Sequence, residues 1–427
     1  MPLLLLSTNW TFSAPNNRER NRGRLEKCRC GPTTDIMKKI RVLHIVPTLN
    51  PGGAERVAVH IVTRLNPRRY EGAVVSLGRR EECDLDRLLE EAGVEVQYLG
   101  KPPGFDYRMY YRLHRALRDH RPDVVHTHMQ VLRYALPSML LLKRASLLHT
   151  IHNLAERDVE PRARFIQRYA FNHGVVPIGV ATEVALSVER LFGIQECRVI
   201  SNGIPTDRYA RPQISRKEWR AREGFGDDDV LFVCVARFAP QKNHALLLKA
   251  FAQGPASDPN AHLVLVGEGV LRQQLEGQAK SLGLSRQVHF LGLRTDIPDV
   301  LGAMDVFVLS SDYEGNPLSV MEAMASGLPI VSTAAGGVPD LLEHGREGLI
   351  VQPGDVQGLS LSMTSLLRNR ELRQALGRAA ARRARERFDV STMVQAHEAL
   401  YESLVDQAHR PNAEGVLHRQ GVPLRQV

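Results

Sequence analysis

Long apolar runs are absent from this chain of 427 residues. A helix that crosses a bilayer takes about 18 or more consecutive apolar residues. The longest candidates, Leu3–Leu6 and Ser138–Leu142, fall far short, so no spanning helix is expected. The N-terminus does not read as a secretion signal, because its Arg-rich part follows the leucines instead of preceding them. Cysteine is scarce too. Cys28, Cys30, Cys83, Cys197 and Cys234 are odd in number and scattered, which argues against a disulfide framework or a zinc cage and fits reduced thiols in a cytosolic protein. Aromatic residues make up 6%, little for base stacking. The formal charge of +9 comes with no finger, recognition helix or aromatic RNA-binding signature, so nucleic acid is not an expected partner.

Other absences narrow the chemistry. No G-x-G-x-x-G follows any strand-like run: after Gly52-Gly53 come Glu55 and Arg56, which weighs against a dehydrogenase. Asp84-Leu85-Asp86 lies at a helix start, where acids complement the dipole. Asp227–Asp229 lies in a loop before a strand. Neither has the setting of a metal-binding Asp-x-Asp, so no catalytic metal and no cofactor are expected.

What is present is a regular alternation. The first half reads as RVLHIV, GAVVSL, VEVQYL, DVVHTH, SLLHTI and GVVPIG with amphipathic helices between. The second half reads as VLFVCVA, HLVLVG, VHFLG, DVFVLS, PIVST and GLIVQ, again with helices between. Strand and helix in turn indicate parallel α/β architecture. Two such series in a chain of this length imply two Rossmann-like domains with a ligand cleft between strand C-termini. The domains are read as 38–208 and 209–388, with the boundary between Pro205 and Asp229. Residues 1–37 read as a polar leader or a mis-assigned start, with Met37 the real one. The Pro/Gly/Gln/Arg-rich tail 409–427 reads as disordered.

The most informative stretch is Ser310–Asp340. A short β-rich run ends at Ser311, and Gly315 removes a side chain where a ligand needs close backbone approach. Asn316 suits the N-cap and Pro317 the first helical position, before Leu318, Met321 and Ala325 carry the helix on to Gly327 and Pro329. The free N–H groups and positive dipole end would point beside Glu314 and suit a diphosphate. Glu314 sits in the loop before the helix and Glu322 about five residues inside it, about 7–8 Å along its axis. Two exposed acids on an ordinary strand–loop–helix unit would look the same by spacing alone.

The residues resemble something more specific. Glu314-x7-Glu322, then EAMASGLPIV and the Gly336-Gly337-x-Pro339-Asp340 turn, are similar to family 4 of the retaining glycosyltransferases. GGAERV, RPDVVHTH, HTIHN, VISNGI, VARFAPQKNH, LVLVGEG, VHFLG and the closing RFDVSTMVQAHEALY follow in that family's order, covering roughly 38–406. The resemblance implies a GT-B fold, two facing Rossmann-like domains, whose last helix (389–408) crosses back to the first. It implies diphosphate-binding roles for Arg237 and Lys242, a sugar contact for Glu314 and a ribose contact for Glu322. Donor contacts are implied for Gly315, Asn316, Pro317, Leu318, Gly267 and Leu293, with no side-chain role for Asn316. His152 would face the sugar. Gly52 and Gly53 would admit acceptor or phosphate, or simply make a tight turn. His126 and His128 are acceptor-side candidates or packed strand histidines.

The function so implied is retaining, metal-independent transfer of a hexose-type sugar in cell-surface glycan or lipopolysaccharide synthesis. The donor would be a UDP- or GDP-sugar and the acceptor a lipid-linked or glycan molecule. A sugar-nucleotide epimerase or phosphorylase on a similar scaffold, or a non-catalytic nucleotide-sugar-binding protein, is the alternative. Arg108, Arg112 and Arg115 share one face of a helix expected over Tyr107–Asp119, opposite Tyr110, Leu113 and Leu117. That face suits contact with an anionic membrane, on its cytoplasmic side, as well as plain solvation.

Overall fold

The computed structural model describes residues 38–409 except Pro51, Lys143 and Glu160. The leader with Cys28 and Cys30, and the tail beyond His409, lie outside the described residues. The apolar runs of the first half become β1 (Ile40–Val46), β2 (Tyr70–Ser76), β3 (Glu95–Tyr98), β4 (Val124–His128), β5 (Ser146–Ile151) and β6 (Val176–Gly179). A two-residue edge strand, β7 (Arg198–Val199), follows within VISNGI; both residues are exposed, so no apolar pattern announced it. The second half supplies β8 (Val230–Val235), β9 (Ala261–Val266), β10 (Val288–Gly292), β11 (Val306–Leu309), β12 (Ile330–Thr333) and β13 (Gly348–Val351).

These strands form two sheets, ordered β3-β2-β1-β4-β5-β6-β7 and β10-β9-β8-β11-β12-β13. Every pairing is parallel. Parallel sheets are covered on both faces, so their strands read as continuous burial without alternation; all five residues of β4 and all four of β11 are buried. The fold is therefore α/β, built on two Rossmann-like sheets. In each, strand order reverses once, between β1 and β4 and between β8 and β11, and loops leaving a reversal open a crevice. Gly52–Gly53 follow β1 and His128 ends β4. Arg237 and Lys242 follow β8, and Glu314 follows β11. Several candidate residues leave from these two points, while His152 follows β5 and Gly267 and Leu293 follow β9 and β10.

The last described helix, Val390–His409, follows a backbone bridge between Ile204 and Asp389. It lies against the first sheet: the Tyr70 hydroxyl donates to Glu402 at 2.6 Å and to the Glu398 carbonyl at 3.1 Å. Tyr401 from the same helix reaches His126 on β4 at 2.8 Å.

One buried cation organises the entry to the second sheet. Arg220, 1% exposed, pairs with Asp305 at 2.7 Å. Its other N–H groups donate to the carbonyls of Ala303 (2.9 Å), Gly226 (3.0 Å) and Asp229 (2.9 Å). Asp305 also accepts the Leu231 N–H at 2.9 Å, so one guanidinium ties the loop before β8 to the start of β11. Without Arg220, Asp305 still pairs with Arg216 at 2.6 Å, but the three carbonyls lose their donor. Arg220→Met should therefore lower the unfolding free energy by about 1–3 kcal/mol, read as an earlier urea midpoint. A midpoint equal to the parent's would refute it.

Candidate active site

The loop after β11 is fastened to the turn after β8 before any ligand enters. The Ser310 hydroxyl donates to the carbonyls of Lys242 and Asn243, 3.0 Å each. The Asp312 N–H reaches the Gln241 carbonyl at 2.9 Å, and the Gln241 amide returns to the Tyr313 carbonyl at 2.9 Å. Asn243 takes a left-handed φ of 43°, which asparagine tolerates, and caps the His244–Gln253 helix through the Leu246 N–H. Lys242 Nζ is thereby set 2.6 Å from Glu314 Oε1, and the Ser311 hydroxyl donates to the same oxygen at 2.5 Å. Glu314 is 4% exposed, and a carboxylate at that depth needs such partners.

Glycines hold the same loop from behind. A Cβ at Gly336, whose φ is 54°, would collide with the Glu314 carbonyl oxygen, and one at Gly337 with that of Gly315. The Gly337 N–H donates to the Gly315 carbonyl at 2.9 Å. A Cβ at Gly315 itself would strike the backbone carbonyl of His152. The helix beyond spans Leu318–Ala325 with Pro317 at the cap, one residue later than the sequence suggested, because Pro317 stays extended (ψ 116°). Asn316 is 5% exposed, and neither atom of its side-chain amide has a partner. Its carbonyl accepts from Asn202 at 2.9 Å. Buried amides are seldom left so, a feature the sequence reading did not anticipate.

Facing this helix start is the glycine turn after β1. A Cβ at Gly53 would come 3.9 Å from Leu318, and the flexible end of the Glu55 side chain folds back over Gly52. Burial raises the Glu55 carboxyl, opposed by its own backbone N–H and by the Arg237 guanidinium. Arg237 is exposed. Glu322 is buried and already engaged. Its Oε1 accepts from Arg56 at 2.6 Å and from the Tyr209 hydroxyl at 2.8 Å. Arg56 and Tyr209 escaped the sequence reading, since an arginine next to a glycine turn looks like a solvated charge.

The histidines form a buried cluster. β1 and β4 pair with His44 opposite His126, and side chains of a strand alternate in period two, so His44, His126 and His128 share a face. His149 pairs opposite Thr127 and faces the other way. His128 Nδ1 lies 3.1 Å from Nε2 of half-buried His152, and its Nε2 3.0 Å from His44 Nδ1. Nitrogens of His44, His126 and His128 lie within 4.8 Å of one another. His44 and Tyr401 were missed, though HTH on one face was a visible signal.

Gly267 and Leu293 lie at the ends of β9 and β10. A Cβ at Gly267 (φ 142°) would collide with the Ala236 carbonyl, so its bareness lets two loops meet next to Arg237. Leu293 is 80% exposed. On the first sheet, a cavity of about 460 Å³ opens beyond β1, β2 and β4, lined by Thr48, Arg79, Lys101, Gln130, Arg133 and Tyr134 among others. Gln130 and Val131 in its wall lie two and three residues beyond His128, the last residue of β4.

Two family profiles match the chain: "Glycosyltransferase Family 4" over residues 51–208 and "Glycosyl transferases group 1" over residues 215–383. The N-acetyl-alpha-D-glucosaminyl L-malate synthase of Bacillus anthracis is 22% identical over 82% of this chain and 93% of its own. The lipopolysaccharide core biosynthesis glycosyltransferase LpsD of Rhizobium meliloti is 27% identical over 82% of this chain and 95% of its own. The crystal structure of HepE from Anabaena in complex with UDP-glucose superposes with a TM-score of 0.75 at 22% identity, covering 85% of this chain and 100% of that one. That likeness carries the fold.

The neutral histidines have a thermodynamic consequence. Burial pushes His44 and His152 down to about 3, His149 and His397 to about 4, and His126 and His128 well below their ordinary value. Unfolded, each takes a proton near 6.5. Below that pH the unfolded chain holds more protons, so stability is lost as pH falls. Asp158, whose carboxyl burial raises to about 6, opposes the trend in part. Each histidine contributes up to about 1.4 kcal/mol per pH unit. The urea midpoint should therefore fall steeply from pH 7 to pH 5; a flat profile over that interval would refute the neutral cluster.

Proposed function

The chain belongs to the family 4 glycosyltransferases of the GT-B fold, and on that premise we propose retaining transfer of a hexose-type sugar from a UDP- or GDP-sugar. The acceptor is a lipid-linked or glycan molecule, and no divalent metal takes part. The observation that carries this reading is the Lys242–Glu314 pair at 2.6 Å, held at a helix start and facing the His152 backbone across Gly315. In the proposed reaction the bond from the anomeric carbon to the diphosphate oxygen breaks. A bond to the acceptor oxygen forms, and the acceptor proton passes to the leaving phosphate. Negative charge grows on the diphosphate, where Arg237, Lys242 and the N–H groups at the start of the Leu318–Ala325 helix lie ready to meet it. Glu314 accepts from sugar hydroxyls. Arg56 and Tyr209 both use Oε1 of Glu322, which leaves Oε2 to accept from ribose. The unpartnered Asn316 amide supports a polar ligand filling this space.

The cavity beyond β1, β2 and β4 supports an anionic acceptor. Lys101 and Arg133 both lie over the Tyr134 ring, 6.0 and 5.3 Å from its centre, and Arg79 joins them on the wall. Three cations against the single acid Glu81 suit a phosphate-bearing molecule. The lipopolysaccharide-core relative supports a cell-surface glycan as product. Membrane contact on the cytoplasmic face is part of the same proposal. The helix Arg108–His120 begins and ends one residue later than expected, with Met109, Leu113 and Leu117 buried. Arg108 pairs with Asp106 and Arg112 donates to the Leu99 carbonyl, so the arginines also serve the fold. The exposed apolar groups on this side are Phe105, Tyr107 and Tyr111, with Leu141 and Phe165 on helices packed next in turn. Among the described residues no helix is long and apolar enough to cross a membrane.

Calorimetric titration with UDP, GDP, ADP and their sugars, in chelator, tests the donor reading. Saturable binding of one nucleotide class is expected. Arg237→Ala with Lys242→Ala should weaken it at least tenfold, and Glu314→Ala should cut turnover about a hundredfold or more with the fold intact. Undiminished affinity in the double variant would move the donor site elsewhere. For the membrane reading, Phe105→Ser with Tyr107→Ser and Tyr111→Ser should abolish co-sedimentation with vesicles rich in anionic lipid. A parent protein that stays in the supernatant would remove the proposal.

A further inference from the structure

The buried imidazoles have no task yet in the reaction proposed above, and their hydrogen bonds form a single line. It runs from His152 Nε2 to His128 Nδ1 (3.1 Å), then from His128 Nε2 to His44 Nδ1 (3.0 Å). His44 Nε2 meets the Tyr401 hydroxyl (3.3 Å), which meets His126 Nδ1 (2.8 Å), and His126 Nε2 ends on the Thr150 hydroxyl (2.6 Å). All but half-buried His152 are at most 2% exposed.

A neutral imidazole donates from one nitrogen and accepts at the other, and a hydroxyl has one proton. Fixing the direction of one link therefore fixes every other. Among the described residues the Thr150 hydroxyl has no second partner, and its buried proton is satisfied only by donating to His126 Nε2. His126 then donates from Nδ1 to Tyr401, and Tyr401 donates to His44 Nε2. His44 donates from Nδ1 to His128 Nε2, and His128 donates from Nδ1 to His152 Nε2. The last proton is left on His152 Nδ1, the nitrogen outside the line.

We infer that Thr150, His126, Tyr401, His44 and His128 are positioning residues that hold His152 as the Nδ1–H tautomer, a neutral donor to an oxygen of the transferred sugar. Burial supports the neutrality of the line, since it holds all four imidazoles below their ordinary range. The tautomer follows from ligand-free geometry. Its effect on turnover rests on the transfer reaction proposed above. Because Tyr401 lies on the closing helix Val390–His409, the docking of that helix on the first sheet sets the hydrogen-bonding character of a group more than two hundred residues away in the chain.

Long-range ¹H–¹⁵N correlation on the ligand-free full chain, labelled at histidine and assigned with His152→Gln, tests this directly. His152 should show one tautomer, Nδ1–H. Tyr401→Phe and Thr150→Val each remove a hydroxyl from the line while keeping the side chain's approximate shape, and each should give a tautomer mixture at His152. With the nucleotide sugar that the wild-type chain turns over, Tyr401→Phe should lower kcat about tenfold, the scale of one hydrogen bond, with KM changed less than about twofold. A wild-type Nε2–H signal overturns the inference, as does an unchanged tautomer in both variants. One equivalent of zinc in the purified protein also overturns it, since His44, His126 and His128 would then be ligands. If no nucleotide sugar is turned over, the transfer reading fails and the spectra still decide the tautomer.

Discussion

The half of the candidate site built on the second sheet depends on a steric constraint: the backbone of Glu314 and Gly315 lies where no side chain can come between it and its neighbours. Gly336 and Gly337 press on it from the second sheet, and the His152 carbonyl presses on Gly315 from the first. Close backbone contacts are stiff because interiors are as dense as organic crystals. The loop cannot drift, so its one carboxylate is placed to within the length of a hydrogen bond. The other candidate groups of that half are arranged around that fixed point. Lys242 is carried to Glu314 by bonds between two loops, and Arg237 by a strand end that Gly267 lets approach.

The second constraint is topological. Both sheets reverse strand order beside their first strand, so each opens its crevice where the loops after its first and fourth strands part. The two crevices differ in the groups they carry. Lys242, Arg237 and helix N–H groups gather at the second; the first carries the neutral imidazoles, and its cations Arg79, Lys101 and Arg133 line the cavity beyond β1, β2 and β4. Contacts between them, such as Arg56 with Glu322 and Thr182 N–H with Asp340 at 2.6 Å, join the two series around the loop they share.

Much of this was legible in the sequence. Twelve apolar runs gave twelve strands because a parallel strand buried on both faces needs unbroken apolar residues, and little else in the chain has them. The Ser310–Asp340 stretch was legible because glycine, proline and paired acids at fixed offsets leave few folded solutions. β7 was not, since two exposed residues carry no pattern. The helix start slipped by one position because either Asn316 or Pro317 can cap, and only the backbone decides. Arg56, Tyr209, His44 and Tyr401 were invisible for a common reason. Each gains its role from a partner far away in the chain, as Tyr401 does from His126 and Arg56 from Glu322. Periodicity reports which face is buried. It does not report what waits on the other side.

The contrast between the neutral imidazoles and the cations after β8 fits the proposed chemistry. As the bond to the diphosphate breaks, negative charge builds on phosphate oxygens and positive charge on the sugar ring. A cation beside the ring would oppose that second charge as strongly as one beside the phosphate favours the first. A donor facing the sugar must therefore hydrogen-bond without being charged. Histidine in water would be protonated part of the time near neutral pH. Burying its partners removes that option, and a hydrogen-bonded line of neutral imidazoles keeps the donor proton without the charge. The lysine and arginine after β8 stay on the proposed phosphate side, where Lys242 is paired with Glu314 at 2.6 Å. The acid-labile cluster and the proposed polarity are thus two consequences of one arrangement: the group proposed to face the sugar is kept uncharged, while a lysine and an arginine stand where the leaving group would be received.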